Sequence, residues 1–100
     1  MSFEEHVQAA LDSLPPEIRA KLENVAVVVE EENGEEPDLY GLFVEEPYLP
    51  AKVSIYRRPL VEDFGHDPAE LEHEIRVTVL HELAHYFGFD ERQLDELGYG

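Results

Sequence analysis

Residues 81–85 read His-Glu-Leu-Ala-His. On a helix, His81 and His85 lie one turn apart on one face. That spacing lets two imidazoles reach a single divalent ion at about 2.0–2.1 Å. Glu82 lies about 100° further round the helix. It is too far round to join the two histidines as an ideal ligand, but it is placed to contact a water bound to the metal. Zinc lowers the pKa of such a water to about 7, and a neighbouring carboxylate can take its proton. The spacing, HExxH, thus carries a division of labour between two ligands and one general base.

A third ligand must come from elsewhere in the chain. There are no cysteines, so a thiolate site is excluded and the metal must be held by histidine and carboxylate. Gly88 lets the chain turn sharply after the helix and bring Asp90 or Glu91 back towards the ion. Glu91 is favoured, because Asp90 has a role as N-cap of a short last helix over residues 91–97, with Gln93 three residues on. Asp90 remains its competitor. Two histidines and one carboxylate suit zinc. His6, His66 and His73 lack the spacing and are read as non-ligands: His66 falls in a loop after Gly65, and His73 points about 80° away from His81 on the helix.

The elements that must position these groups follow from periodicity and capping. The helix over 68–87 has Asp67 as N-cap, Pro68 in the first helical position and Glu70 to complete a capping box. Leu71, Ile75, Val79, Leu83 and Tyr86 cover one flank, and Val77, Leu80, Ala84 and Phe87 the other. A helix apolar on both sides is largely buried, and polar side chains in it need partners. Metal binding meets that need better than a reading of His81 and His85 as ordinary helix residues.

Upstream, residues 3–14 have helical spacing, Pro15 and Pro16 end that run, and 17–22 form a short helix. The β-branched run 25–29 predicts a buried strand. Residues 39–44 predict a second strand, against which Gly41 argues. Residues 52–58 alternate and predict a third, half-buried strand that includes Arg57 and Arg58. The order α-α-β-β-β-α-α makes an α+β fold in a single domain over 1–100.

Charge narrows the partners. Twenty-four acids against seven bases give −17 at pH 7. That field repels phosphate backbones, and the adjacent pair Arg57-Arg58 is too little for a basic patch, so no nucleic-acid partner is expected. The acids serve first to keep the protein soluble. No apolar run approaches the roughly 18 residues of a membrane span, and the start MSFEEHVQAALDSL lacks the basic and apolar regions of a signal peptide. The expectation is a cytoplasmic protein with no membrane partner.

From KVSIYRRPL through the long helix to HELAHYFGFDERQLDELGYG, the chain resembles a family of short bacterial zinc metallopeptidases with a minimal zincin-like fold. The strand followed by RRPL, the helix running into HExxHxxG, the acid after it and the closing LxELGY carry the likeness over most of residues 39–100. The N-terminal helices carry little of it. The resemblance implies a small three-stranded sheet packed on the N-terminal helices and the HExxH helix. It implies zinc held by His81, His85 and an acid at the position of Glu91, with Glu82 as general base. It also implies a sheet edge facing the cleft, where an extended peptide adds as a strand. Metzincins differ in using a third histidine and a methionine turn, and Met1 is the sole methionine here. Gluzincins take the third ligand from a distant helix, for which residues after 91 leave no room.

The leading expectation is a zinc-dependent peptidase acting on a peptide or protein substrate. Tyr56 and Tyr86 are the candidates for stabilising an oxyanion, each more simply read as packing with an exposed hydroxyl. The alternative is a zinc-binding regulatory or peptide-binding module with little or no hydrolytic activity, since a domain this small has short walls for a specificity pocket. A metal-dependent ribonuclease with three helix histidines is a third reading. The missing third histidine, the presence of Glu82 and the negative charge all oppose it.

Overall fold

The computed structural model of the protein describes residues 2–87 and Arg92, with side chains except those of 85–87. Helix α1 (Phe3–Asp12) is closed at its start by Ser2. The Ser2 hydroxyl accepts from Glu5 N and Glu5 Oε1 accepts from Ser2 N, each at 3.2 Å, a reciprocal capping box. The Ser2 main-chain N–H, with its hydroxyl, holds the Glu5 carboxyl below its ordinary range. The helix stops two residues before the expected end. Ser13 turns its hydroxyl back onto Ala10 O at 2.8 Å and two prolines follow, so Leu14 reaches the core from outside the helix. Helix α2 (Pro16–Lys21) runs into a 3₁₀ turn over Leu22–Asn24.

Strands β1 (Val25–Glu30), β2 (Gly41–Val44) and β3 (Ala51–Tyr56) form one mixed sheet in the order β1-β3-β2. β1 runs parallel to β3 in the register Val25↔Ala51 to Glu30↔Tyr56, and β2 runs antiparallel to it, Gly41↔Ile55 to Val44↔Lys52. This arrangement overturns two expectations. The alternating segment is not half-buried: as the central strand, β3 is covered on both faces, and Val53, Ser54, Ile55 and Tyr56 are all buried. The uniformly apolar run is not the buried strand, because β1 sits at an edge and is only partly covered.

The third strand also ends earlier than expected. Arg57 and Arg58 leave the sheet and open a helix, α3 (Arg57–Phe64), which sequence reasoning missed. Pro59 lies in its first turn, where a missing N–H costs nothing, and Pro59 and Leu60 are buried. Both arginines are engaged by acids. Arg57 Nε donates to Glu31 Oε2 at 2.7 Å, while Arg58 donates to Glu32 at 2.9 Å, to Glu62 at 2.8 Å and to Pro37 O. These bonds strap the loop between β1 and β2 onto α3.

Helix α4 (Pro68–Phe87) starts where capping and periodicity predict. Asp67 Oδ1 accepts from Ala69 N at 2.9 Å and Glu70 N at 3.4 Å. The expected stop at Gly88 and the last helix over 91–97 lie outside the described residues. α4 packs on β2 and β3 and also touches α1 and α3. Ile55, Leu60, Ile75, Val79, Leu80 and Leu83 meet there with no exposed surface, each such burial being worth about 1.5–3 kcal/mol. The architecture is α+β, a small three-stranded sheet against helices. Among the described residues, no helix is long and apolar enough to cross a membrane.

Candidate metal and catalytic site

The site begins with the way β2 lies against α4. Gly41 opens the strand, and a Cβ built there would stand 2.5 Å from Thr78 Cγ2 on α4 and 3.0 Å from Ser54 O on β3. Only a residue without a side chain permits that approach. Thr78 is itself fixed, because its hydroxyl donates to Glu74 O at 2.8 Å and leaves its methyl towards β2. One turn on, Glu82 follows Thr78 along the same side of the helix, with its Cγ 3.9 Å from the same Cβ position.

The pairing pattern then decides which main-chain groups of β2 face outward. Tyr56 N donates to Tyr40 O at 2.9 Å. Hydrogen-bonded and non-bonded pairs alternate along an antiparallel ladder. In the observed register, Leu42 and Val44 therefore bond to β3, and Gly41 and Phe43 turn their N–H and C=O away from it. The outward N–H of Phe43 donates to Glu82 Oε2 at 3.0 Å. A half-buried carboxylate on α4 is thus held against the outer side of β2.

His81 is exposed on the preceding position of α4. Position 85 is one turn further along the same helix, and the helical period sets it between the directions of His81 and Glu82. The side chain of His85, and Asp90 and Glu91 entirely, lie outside the described residues. Among the described residues, no three histidines or acids are grouped closely enough to hold an ion. The described part of the donor set nevertheless fits zinc: an exposed imidazole at 81 and a second histidine position one turn on, with the Glu82 carboxylate bonded to the edge strand.

The other histidines, read as non-ligands, and the two tyrosines fall elsewhere. His6 Nδ1 is 2.8 Å from Glu72 Oε1, joining α1 to α4, and His66, in the turn before α4, lies 3.2 Å from Glu70. His73 is on α4 two turns before His81. Tyr56 is 3 % exposed and its hydroxyl accepts from Asn33 Nδ2 at 3.0 Å, so it is a packed residue rather than one with a free hydroxyl. Tyr86 has no described side chain. Tyr40, just before β2, donates to Asp63 on α3 and stacks at a tilt on Phe64, with ring centres 5.5 Å apart. The Asp63 bond, helped by burial, pushes its hydroxyl up to about 12, so it is a neutral anchor for the strand. A concavity of about 380 Å³ lies between α2 and the β2–β3 loop, lined by Lys21, Asn24, Glu45, Glu46 and Leu49, away from His81 and Glu82.

Three contributors to the site went unread in the sequence: Thr78, the amide of Phe43, and Gly41 as a point of close approach. A glycine inside a strand is the signal that a neighbouring element comes near, and it pointed to Gly41. A main-chain amide has no residue-type signal at all.

Residues 22–100 match the model of a family described as zincin-like metallopeptidases. The match begins at the 3₁₀ turn and takes in the sheet, α3 and α4, leaving α1 and α2 outside. No curated protein matches the chain.

Proposed function

The chain belongs to the zincin-like metallopeptidase family, and we propose that it is a zinc-dependent peptidase in which Glu82 is the general base and His81, His85 and Glu91 hold the metal. Asp90 is the alternative to Glu91. The observation that carries this reading is the bond from Phe43 N to Glu82 Oε2. It sets a carboxylate beside an exposed histidine, at a sheet edge where a peptide can lie.

A bound zinc ion would supply Lewis acidity at the scissile carbonyl and lower the pKa of water there. The chain's own residues do the rest. The outer edge of β2 receives the substrate as an added strand, since the main-chain groups of Gly41 point away from β3. Glu82 takes the proton of the attacking water as the new C–O bond forms at the scissile carbon. It then delivers that proton to the amide nitrogen as the C–N bond breaks, so one carboxylate serves as base and then as acid. The substrate is a peptide or protein segment in extended form, and no nucleic acid is involved: the net charge of −17 opposes it, and Arg57 and Arg58 are already bonded to acids.

The test is a peptide-library digest with zinc-loaded wild type, Glu82→Ala and His85→Ala. Wild type should cleave, Glu82→Ala should keep its zinc and lose cleavage, and His85→Ala should lose zinc. Equal zinc in wild type and His85→Ala sinks the ligand assignment. If wild type and Glu82→Ala both bind zinc tightly and neither cleaves, the peptidase reading gives way to a peptide-binding zinc module.

A further inference from the structure

A general base works only when its carboxylate is held to within about 0.5 Å of the productive position. An ordered glutamate side chain gives up about 1.5–2 kcal/mol of rotamer freedom, so something must hold it. On α4 the Glu82 side chain is half-buried and its Oε2 accepts from Phe43 N. That donor cannot swing away. It belongs to a strand paired with the central strand of the sheet, and it faces outward because Leu42 and Val44 bond inward. The strand in turn can lie this close to α4 only because residue 41 has no Cβ to meet Thr78 Cγ2.

We infer that the main-chain amide of Phe43 is a positioning group for Glu82, brought within reach by Gly41, and that it is the base, not the substrate, that uses this edge donor. The kinetic consequence rests on the peptidase reading; the bond itself does not. Fixing Oε2 to a preorganised donor leaves Oε1 as the oxygen that exchanges the proton. A peptide added along β2 then finds the Phe43 N–H already taken. The side chain at 43 is incidental to this role: any residue supplies the donor except proline, which has no N–H. Proline is also tolerated at an edge where the lost N–H faces outward, so the substitution removes the donor and spares the ladder.

Two measurements on the full-length zinc-loaded chain test this. The first is amide exchange at residue 43 by NMR. Glu82→Gln keeps a side-chain carbonyl and should hold the Phe43 rate within about threefold of wild type, while Glu82→Ala should raise it about tenfold or more. An unchanged Phe43 rate in Glu82→Ala overturns the inference. The second compares Phe43→Pro with Phe43→Ala, both lacking the ring, at equal zinc content. Phe43→Pro should lose about a further tenfold in kcat with KM within about twofold. A rise in KM with kcat kept would assign the amide to the substrate and overturn the inference. If Phe43→Pro does not fold, or wild type cleaves nothing, the exchange rates still decide the matter, and failure of cleavage counts against the peptidase reading alone.

Discussion

Gly41→Ala adds one methyl group at the closest point between β2 and α4. Its Cβ would sit 2.5 Å from Thr78 Cγ2 and 3.0 Å from Ser54 O, whereas carbon atoms pack best at about 3.5–4.0 Å. The strand must therefore retreat by roughly 1 Å from the helix. It cannot do so towards β3, because Ser54 O belongs to the central strand, which is paired on both sides. Overpacking of this kind costs about 1–3 kcal/mol. Restricting the unfolded chain returns about 0.4–1 kcal/mol, so the net loss is about 1–2 kcal/mol, with Tm falling roughly 4–8 °C for each kcal/mol in a domain of this size. Thr78→Ser supplies the control. It deletes the offending methyl and keeps the hydroxyl that donates to Glu74 O. In a double-mutant cycle read by urea and thermal unfolding, the pair should recover about 1 kcal/mol relative to the sum of the single changes. A Gly41→Ala protein as stable as wild type, or a cycle with no coupling, would refute the claim that glycine is there for close approach.

Tyr40→Phe should be less stable than wild type by an amount that is constant from neutral pH to pH 10. The raised folded-state value, about 12 against the usual 10, means the difference in Tm fades as pH rises from 10 through 12, where the folded form also loses its proton. For Glu5 the sign is opposite. Its carboxyl is held low by Ser2, so the Tm advantage over Glu5→Gln should be full above pH 4.5 and vanish as pH falls below that value. Ser2→Ala should cost about 0.5–2 kcal/mol in urea unfolding, as the loss of a helix N-cap does. Asn33→Ala leaves the buried Tyr56 hydroxyl without its partner and should cost about 1–3 kcal/mol by the same measurement.

What could be read from the sequence follows the physics of local signals. The start of α4 was legible because Asp67 caps it and Pro68 takes its first position, although Asp67 N bonds to Phe64 O and Glu70 faces His66 in place of the expected capping box. The first helix and the three strands announced themselves by period and by β-branching. The errors came where neighbours decide. β1 reads as VAVVVE and suggested burial on both faces, yet a strand's burial depends on its place in the sheet order, which its own residues do not state. β3 reads as alternating, yet its central place buries Ser54 and Tyr56 as fully as Val53 and Ile55. α3 was hidden because Arg57 and Arg58 extended the alternation by two residues, and Pro59 was not recognised as a first-turn residue.

The site divides along the same line, and the division has a reason. His81 and Glu82 stand out in the sequence because the proposed ligation and proton transfer would need particular side chains at a particular helical spacing. The groups that hold Glu82 are of another kind. One is an amide shared by nearly every residue type, and another is the absence of a side chain at 41. Their meaning depends on a strand antiparallel to β3 in one register: a slip by one residue would turn Phe43 N–H inward and set a residue with a Cβ against Thr78 where Gly41 now lies. The register is in turn held by elements outside the motif. Tyr40 ties the start of β2 to Asp63 and Phe64 on α3, and Arg58 straps the preceding loop to the same helix. The helix that sequence reasoning missed is thus part of what aligns the strand, and through the strand the Glu82 carboxylate. In this small domain the proposed catalytic motif sits on one helix, but its geometry is set by three elements that meet beside it.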